Sequence, residues 1–283
     1  MTRHTTSPRQ PRHRNGEPQG YEQGVFAHRT VTELDRLLTL QADWDTTTRH
    51  IIQRLHPEPG WDCLELGAGA GSIARWLATT CPRGRTTATD IDTGHLTGDL
   101  PDNLHVLRHD VIHDDFAPSS FHLIHARALF VHLPSRQQVL TKAARWLKPG
   151  GWLVVEDPDV FPAQSSLHPL FRKVALAGAD LLSSTLGTDL RWPRTQPTPL
   201  LQAGLTQPGL HISVGTVGDH SPSHRLWQAT FDQIRPALLQ RDLLTPDEAT
   251  ELDALVTQPT FRDACLATVS AWGQRGAHLS ATV

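Results

Sequence analysis

Between Asp62 and Asp159 the chain alternates short apolar runs with stretches of helical period, and this alternation predicts strands succeeded by helices. Asp62 to Leu66 reads as a short strand that runs into Gly67-Ala68-Gly69-Ala70-Gly71, after which Ser72 to Ala78 resumes the helical period. Thr86 to Ile91 and Leu104 to Arg108 read as strands, and Phe121 to Ala126 as a strand buried on both faces. Ser135 to Leu147 is a helix stopped by Lys148-Pro149-Gly150-Gly151, and Trp152 to Glu156 is the next strand. Strands alternating with helices imply a doubly wound α/β fold, a mostly parallel Rossmann-like sheet with crossover helices. In such folds ligands bind beyond the carboxyl ends of the strands.

The flanks follow other patterns. Val31, Leu34, Leu37 and Leu38 share a helical face within Thr30 to Leu40, and Ile51, Ile52 and Leu55 do so within Asp45 to Leu55. Two amphipathic helices are therefore expected ahead of the sheet. Beyond Phe161, helical segments near 168–186 and 223–240 are separated by Pro-rich connections at 193–199 and 220–222. They predict helical cap insertions near 161–192 and 220–245. Thr198 to Leu205 reads as a helix closed by Gly204, and Leu210 to Val217 and Ala264 to Trp272 as strands. The expected organisation is a basic leader at 1–20, N-terminal helices with a lid element around Tyr21 at 21–56, and a core domain at 57–283 carrying the cap insertions.

Composition narrows the class. The 283 residues hold 38% hydrophobic and 19% charged side chains, the balance of an ordinary globular chain. No run nears the ~18 apolar residues of a membrane span. With an Arg-, His- and Pro-rich start in place of an apolar signal core, a cytoplasmic protein is expected. Arg3, Arg9, Arg12 and Arg14 stand in a leader without acids, so the rest of the chain is more acidic than the overall net charge of −3. That balance disfavours a nucleic-acid partner. The leader, poor in apolar residues, reads as a solvated disordered segment. Cys63, Cys81 and Cys265 are widely spaced, lack a C-x-x-C pair and read as reduced thiols.

The informative constellation is Glu65-Leu66-Gly67-Ala68-Gly69-Ala70-Gly71. Its glycines permit a tight turn and close approach of a ligand to the backbone, and the following helix presents free N–H groups. Nicotinamide and other adenosine cofactors both use such loops. Glu65 shifts the balance, because a carboxylate there repels a pyrophosphate but suits a cationic amino-acid ligand; S-adenosylmethionine carries an ammonium and a sulfonium. Asp90, at the tip of the second strand with Asp92 as its fallback, is placed to accept ribose hydroxyl protons. Asp110, after the third strand, is placed to accept from an adenine amino group while Val111 offers a backbone N–H.

In this order, E-L-G-A-G-A-G, T-A-T-D-I-D, L-R-H-D, F-H-L-I-H-A-R and L-K-P-G-G-W-L-V-V-E-D resemble class I S-adenosylmethionine-dependent methyltransferases over residues 60–160. The phrase H-A-R-A-L-F-V-H-L-P and Val269-Ser270-Ala271-Trp272-Gly273 are similar to actinobacterial small-molecule methyltransferases, many of which tailor secondary metabolites such as antibiotics. The resemblance implies the class I methyltransferase fold and S-adenosylmethionine as cofactor, with S-adenosylhomocysteine as product. It puts Gly67 and Gly69 along the methionine moiety, Glu65 at its ammonium, Asp90 with Ile91 at the ribose, Asp110 with Val111 at the adenine, and Ala126 and Arg127 at the amino-acid end. An alternative for Arg127 is a salt bridge to a neighbouring acid. Gly71 is assigned to helix-to-strand packing.

Methyl transfer depends mainly on alignment of acceptor, methyl and sulfur with water excluded. Candidates for a general base at the sheet edge are His125, His132, Glu156, Asp157 and Asp159, of which His132 and Asp157 are favoured; His132 alternatively caps or positions the next helix. No metal site is expected, since the 17 histidines are scattered and Asp110 already has a cofactor role. Trp192 and Trp227, in the insertions, are the acceptor-pocket candidates. The expected activity is methyl transfer to an oxygen or nitrogen of a small-molecule acceptor by a monomer or homodimer, without nucleic-acid or membrane partners. The competing classes are an adenosine-cofactor oxidoreductase and a noncatalytic S-adenosylmethionine-binding module.

Overall fold

In a computed structural model, residues 32–277 are described. The leader, Tyr21 and its lid role lie outside them. The chain runs α1 (Glu33–Gln53), β1 (Cys63–Leu66), α2 (Ser72–Thr80), β2 (Thr86–Asp90), β3 (Leu104–Arg108), β4 (Phe121–Arg127), α3 (Arg136–Trp146), β5 (Leu147–Asp159), α4 (Phe161–Gln164), α5 (Pro169–Leu186), α6 (Thr198–Gln202), β6 (Leu205–Val217), α7 (Pro222–Gln240), α8 (Pro246–Val256) and β7 (Asp263–Arg275). The strands form one sheet in the order β3-β2-β1-β4-β5-β7-β6. β1 to β5 are parallel, and β7 lies antiparallel between β5 and β6. This is the mostly parallel, doubly wound sheet expected from the alternation.

The order reverses at β1, where neighbouring crossovers leave to opposite sides and open a crevice beyond the strand ends. One apolar layer packs α3 on the sheet, with Leu64, Leu66, Ile124, Leu140 and Trp146 almost fully buried. A second joins the end of α1 to α2 through Ile51, Ile52, Ile73 and Leu77. The cap has its own core of Phe171, Leu182, Phe231, Leu238, Leu252 and Phe261.

Two expectations about helices are corrected. The N-terminal segment is one helix of 21 residues, because Arg36, Leu40, Trp44, Thr48, Ile51 and Ile52 continue a single buried stripe with no proline or glycine to break it. The cap also contains α8, opened by a capping box in which Thr245 and Glu248 satisfy each other's backbone N–H groups.

Candidate functional site

β1 ends in Glu65-Leu66, and the backbone then turns through Gly67, Gly69 and Gly71 at φ of 65°, 53° and 80°. These are left-handed conformations that favour glycine. A Cβ on Gly71 would stand 2.5 Å from Leu96 Cδ2 and 2.7 Å from Arg75 Nη1, so that glycine serves packing at the head of α2, as expected. Gly67 and Gly69 face the cavity instead, with Leu129 and Leu37 as their nearest neighbours.

The cavity measures about 490 Å³ and lies beyond the carboxyl ends of β1, β2, β3 and β4. Of the residues expected at a cofactor, Glu65, Gly67, Gly69, Asp90, Ile91, Asp110, Val111 and Arg127 all line it, as does His132. Asp90 Oδ2 accepts the Gly69 N–H at 2.9 Å and Oδ1 the Asp92 N–H at 3.2 Å. Asp110 Oδ1 accepts the Ile112 N–H at 2.9 Å, and Asp110 donates its own N–H to Asp114 at 2.8 Å. The loops after β2 and β3 are thus held by the acids that face the cavity.

Arg127 forms the salt bridge weighed as its alternative role. Its Nη1 donates to Asp45 Oδ1 at 2.9 Å and to Thr48 Oγ1 at 3.3 Å, its Nη2 to Ser72 Oγ at 3.3 Å, and Ser72 Oγ donates to Asp45 Oδ1 at 2.8 Å. This network pins α1 over the glycine loop. Leu37, Leu40 and Gln41 of α1 become part of the cavity wall. Sequence reasoning missed all three, since nothing local to α1 says what it covers.

Beneath Glu65 lies a buried ionic chain. His125 Nδ1 is 2.7 Å from Glu65 Oε2 and its Nε2 is 3.0 Å from Glu156 Oε2. Glu156 also accepts from Thr48 Oγ1 at 2.5 Å and from Ser270 Oγ at 2.6 Å. Burial alone would lower the His125 pKa, but the two carboxylates outweigh it and hold the pKa at about 9. Burial opposes ionisation of Glu156, yet its bonds to His125, Ser270 and Thr48 leave its pKa lowered. His125 is therefore an imidazolium clamped between two acids, and both it and Glu156 are tied up in this chain rather than serving as general bases. Asp159 is committed too, in an ion pair with Arg194 at 2.5 Å.

His132 sits in a 3-10 turn, Phe130–His132, that leads off β4 after Ala128 takes φ of 51°. Its Nδ1 is 2.8 Å from the buried Thr188 Oγ1. Burial, followed by the charges of Arg36 and Arg136, pushes its pKa down to about 3.

Four expected site residues stand elsewhere. Ala126 is buried within β4, and the wall is formed by Arg127, Ala128 and Leu129. Asp157 does not line this cavity: it is 1% exposed beneath the 130–132 turn, where its Oδ1 accepts the Val131 N–H at 3.4 Å. Burial raises its pKa to about 8, so near neutrality it is mainly a carboxylic acid. Trp192 stacks on Phe130 with Arg136 5.4 Å from its ring, because the apolar layer around α3 claims it. Trp227 lies parallel to Phe231 and borders a second cavity of about 230 Å³, enclosed by α1, α7 and the β6–β7 ladder. Among the described residues no cluster of acids, histidines and cysteines has metal-holding geometry, and no helix is long and apolar enough to cross a membrane.

Residues 64–155 match the family model described as a methyltransferase domain. Methyltransferase GfsG of Streptomyces halstedii is 30% identical over 214 residues, covering 65% of this chain and 74% of that protein. An O-methyltransferase of Pyrenophora dematioidea is 30% identical over 162 residues, 52% of this chain and 60% of that protein. Across four such curated relatives the chain spans 35% to 74% of their length. The structure of Haemonchus contortus phosphoethanolamine N-methyltransferase 2 in complex with S-adenosyl-L-methionine matches with a TM-score of 0.56 over 89% of this chain and 59% of that one, at 15% identity, which shows a shared fold. A crevice opening where the strand order reverses, and a match that takes in most of GfsG, lead to one family: the chain belongs to the class I S-adenosylmethionine-dependent methyltransferases.

Proposed function

We propose that the protein transfers a methyl group from S-adenosylmethionine to an oxygen or nitrogen of a small-molecule acceptor. The observation that carries this reading is the disposition of acids along one cavity: Glu65, Asp90 and Asp110 stand at the ends of successive strands and face the same 490 Å³ space. An ammonium, a ribose diol and an adenine amino group are all hydrogen-bond donors and need such acceptors. Gly67 and Gly69 supply the left-handed turn that lets the donor approach the backbone closely. The residues present therefore fit the donor.

When bound, S-adenosylmethionine would supply an activated methyl: an acceptor oxygen or nitrogen lone pair would form the new bond to that carbon as the C–S bond breaks, with S-adenosylhomocysteine leaving as a neutral thioether and the acceptor's proton passing to bulk water. The chain's part is placement and exclusion of water. Glu65 orients the amino-acid end, Asp90 and Ile91 the ribose, and Asp110 and Val111 the adenine. Leu37 and Leu40 close the cavity from α1, while Leu133, Pro134 and Leu186 form its apolar end beside His132. We assign the acceptor to that end. With its pKa near 3, His132 acts there as a neutral imidazole, aligning the acceptor through a hydrogen bond. The secondary-metabolite character of the acceptor rests on the motif likeness to tailoring enzymes and on the Streptomyces source of GfsG.

Incubation with S-adenosylmethionine and a panel of hydroxylated and amino metabolites, read by mass spectrometry, tests the reading. One added methyl on an acceptor, with S-adenosylhomocysteine formed, is the expected result. Binding of a nicotinamide dinucleotide without binding of S-adenosylmethionine would overturn it.

A further inference from the structure

Glu65 is one end of a chain of three ionisable side chains that reaches away from the cavity. The pairing of β1 with β4 puts Glu65 directly beside His125, and the pairing of β4 with β5 puts Glu156 beside Arg127, one step further along the same face. His125 is consequently gripped from two sides, 2.7 Å from Glu65 and 3.0 Å from Glu156, with all three side chains at most 4% exposed. Glu156 is fixed by Thr48 of α1 and Ser270 of β7. The Arg127–Asp45 pair stands alongside and completes the charged groups facing this row.

We propose that His125 is a positioning residue for methyl-donor binding, holding the Glu65 carboxylate in the one orientation that meets the donor's α-ammonium. The inference rests on the reading above that Glu65 receives that ammonium. The geometry carries it. A glutamate has three rotatable side-chain bonds, and a carboxylate at a cavity wall swings unless a second group holds it. Here Oε2 is held by a ring that is itself immobilised at its far nitrogen, so the carboxylate's remaining acceptor capacity is available toward the cavity. Charge points the same way. Two carboxylates around one imidazolium leave one net negative charge, so Glu65 presents the donor with an acceptor that its partner has oriented without neutralising the group as a whole. Without Glu156, the Glu65–His125 pair would be neutral and a cationic ligand would gain less.

The two ring nitrogens allow a test by shape. Asn at 125 reproduces the Nδ1–H and so the bond to Glu65, whereas Gln reproduces the Nε2–H and so the bond to Glu156. Calorimetry would compare S-adenosylhomocysteine with 5′-methylthioadenosine, which keeps the nucleoside and lacks the ammonium and carboxylate. Relative to the unaltered chain, His125→Gln is expected to lose about tenfold or more in S-adenosylhomocysteine affinity, the scale of one hydrogen bond to a charged group. His125→Asn should retain most of that affinity, and methylthioadenosine should bind all three proteins alike. Equal loss of both ligands in His125→Gln, or equal S-adenosylhomocysteine affinity in the two variants, would overturn the proposal. Failure of the unaltered chain to bind S-adenosylhomocysteine would instead remove the reading on which it rests. Glu156→Gln, isosteric and still able to accept from His125, guards against a folding defect: it should lower S-adenosylhomocysteine affinity at pH 7 and leave methylthioadenosine binding unchanged, and an unaltered ratio of the two would count against the charge argument.

Discussion

Asp90 accepts the backbone N–H of Gly69 at 2.9 Å, so the carboxylate assigned to the donor's ribose also fixes the loop assigned to its methionine end. Each carboxylate oxygen has two acceptor sites, which lets Asp90 hold the loop and a ligand hydroxyl together. Asp90→Ala removes both functions and is expected to weaken S-adenosylhomocysteine binding by about 1.5–3 kcal/mol while lowering the melting temperature. Asp90→Asn keeps an oxygen for Gly69 and should spare the melting temperature more than the affinity. Calorimetry and thermal melts on the two variants separate the roles; unchanged affinity in both would cancel the ribose assignment.

The Arg127–Asp45 pair is the main ionic tie between α1 and the sheet, with side-chain exposures of 8% and 16%. Arg127→Met leaves Asp45 with the half-exposed Arg49 as its remaining cation, at 2.9 Å from Oδ2, and should cost up to about 3 kcal/mol, the lower end of the scale for breaking a buried pair. Adding Asp45→Leu removes the partly compensated charge and should restore part of the loss. Denaturant unfolding of the two single variants and the double variant gives the coupling; strictly additive losses would mean the pair contributes nothing of its own.

His132 has its pKa pushed down to about 3, against 6.5 unperturbed. It stays neutral through the working range, and the rate should show no limb from its titration between pH 5 and 8. His132→Ala is expected to lose on the order of tenfold to a hundredfold in turnover, by a factor independent of pH. A loss that grows toward high pH would reveal proton transfer at His132 and displace the alignment role.

Asp157 gives the chain a pH dependence of stability. In the folded chain its carboxyl titrates near 8, and in the unfolded chain near 3.8. Between those values the folded state binds more protons at this group, so the contribution of Asp157 to stability is complete below about pH 4 and is lost as pH rises toward 8. His125, at about 9 folded and 6.5 unfolded, adds a decline in the same direction between pH 6.5 and 9. Asp157→Asn should flatten the lower part of this slope and leave the part above pH 8. Chemical denaturation at several pH values reads both; an unaltered slope in the variant would show that Asp157 ionises freely in the fold.

The local part of this architecture was readable in the chain. Glycine at Gly67 and Gly69, an acid just before them and acids at the next two strand tips announce a cradle because backbone sterics and charge act within a few residues. The Glu65–His125–Glu156 chain was not readable, since its members are 60 and 31 positions apart and meet only through strand register. Asp157 and Trp192 looked like site residues for want of that register and of the packing around α3. The turn at 130–132 buries the first, and the apolar layer takes the second. The single α1 in place of two helices has a similar cause: its covering stripe makes sense only against α7 and the sheet it lies on.

The antiparallel strand β7 has a consequence for how the protein is made. Among the described residues β6 pairs with β7 alone, and β7 is the bridge between β6 and the parallel strands. When a ribosome has delivered residues 33–217, the crevice and its glycine loop are complete in sequence, yet β6 has nowhere to dock, and α7 and α8 must still emerge before its partner does. The nascent chain therefore carries an unpaired 13-residue strand bearing Leu210, Ile212 and Val214 for the time needed to synthesise about fifty more residues. During that interval both edges of the strand are open to mispairing with another copy of the chain, whereas in the finished fold β7 covers one of them.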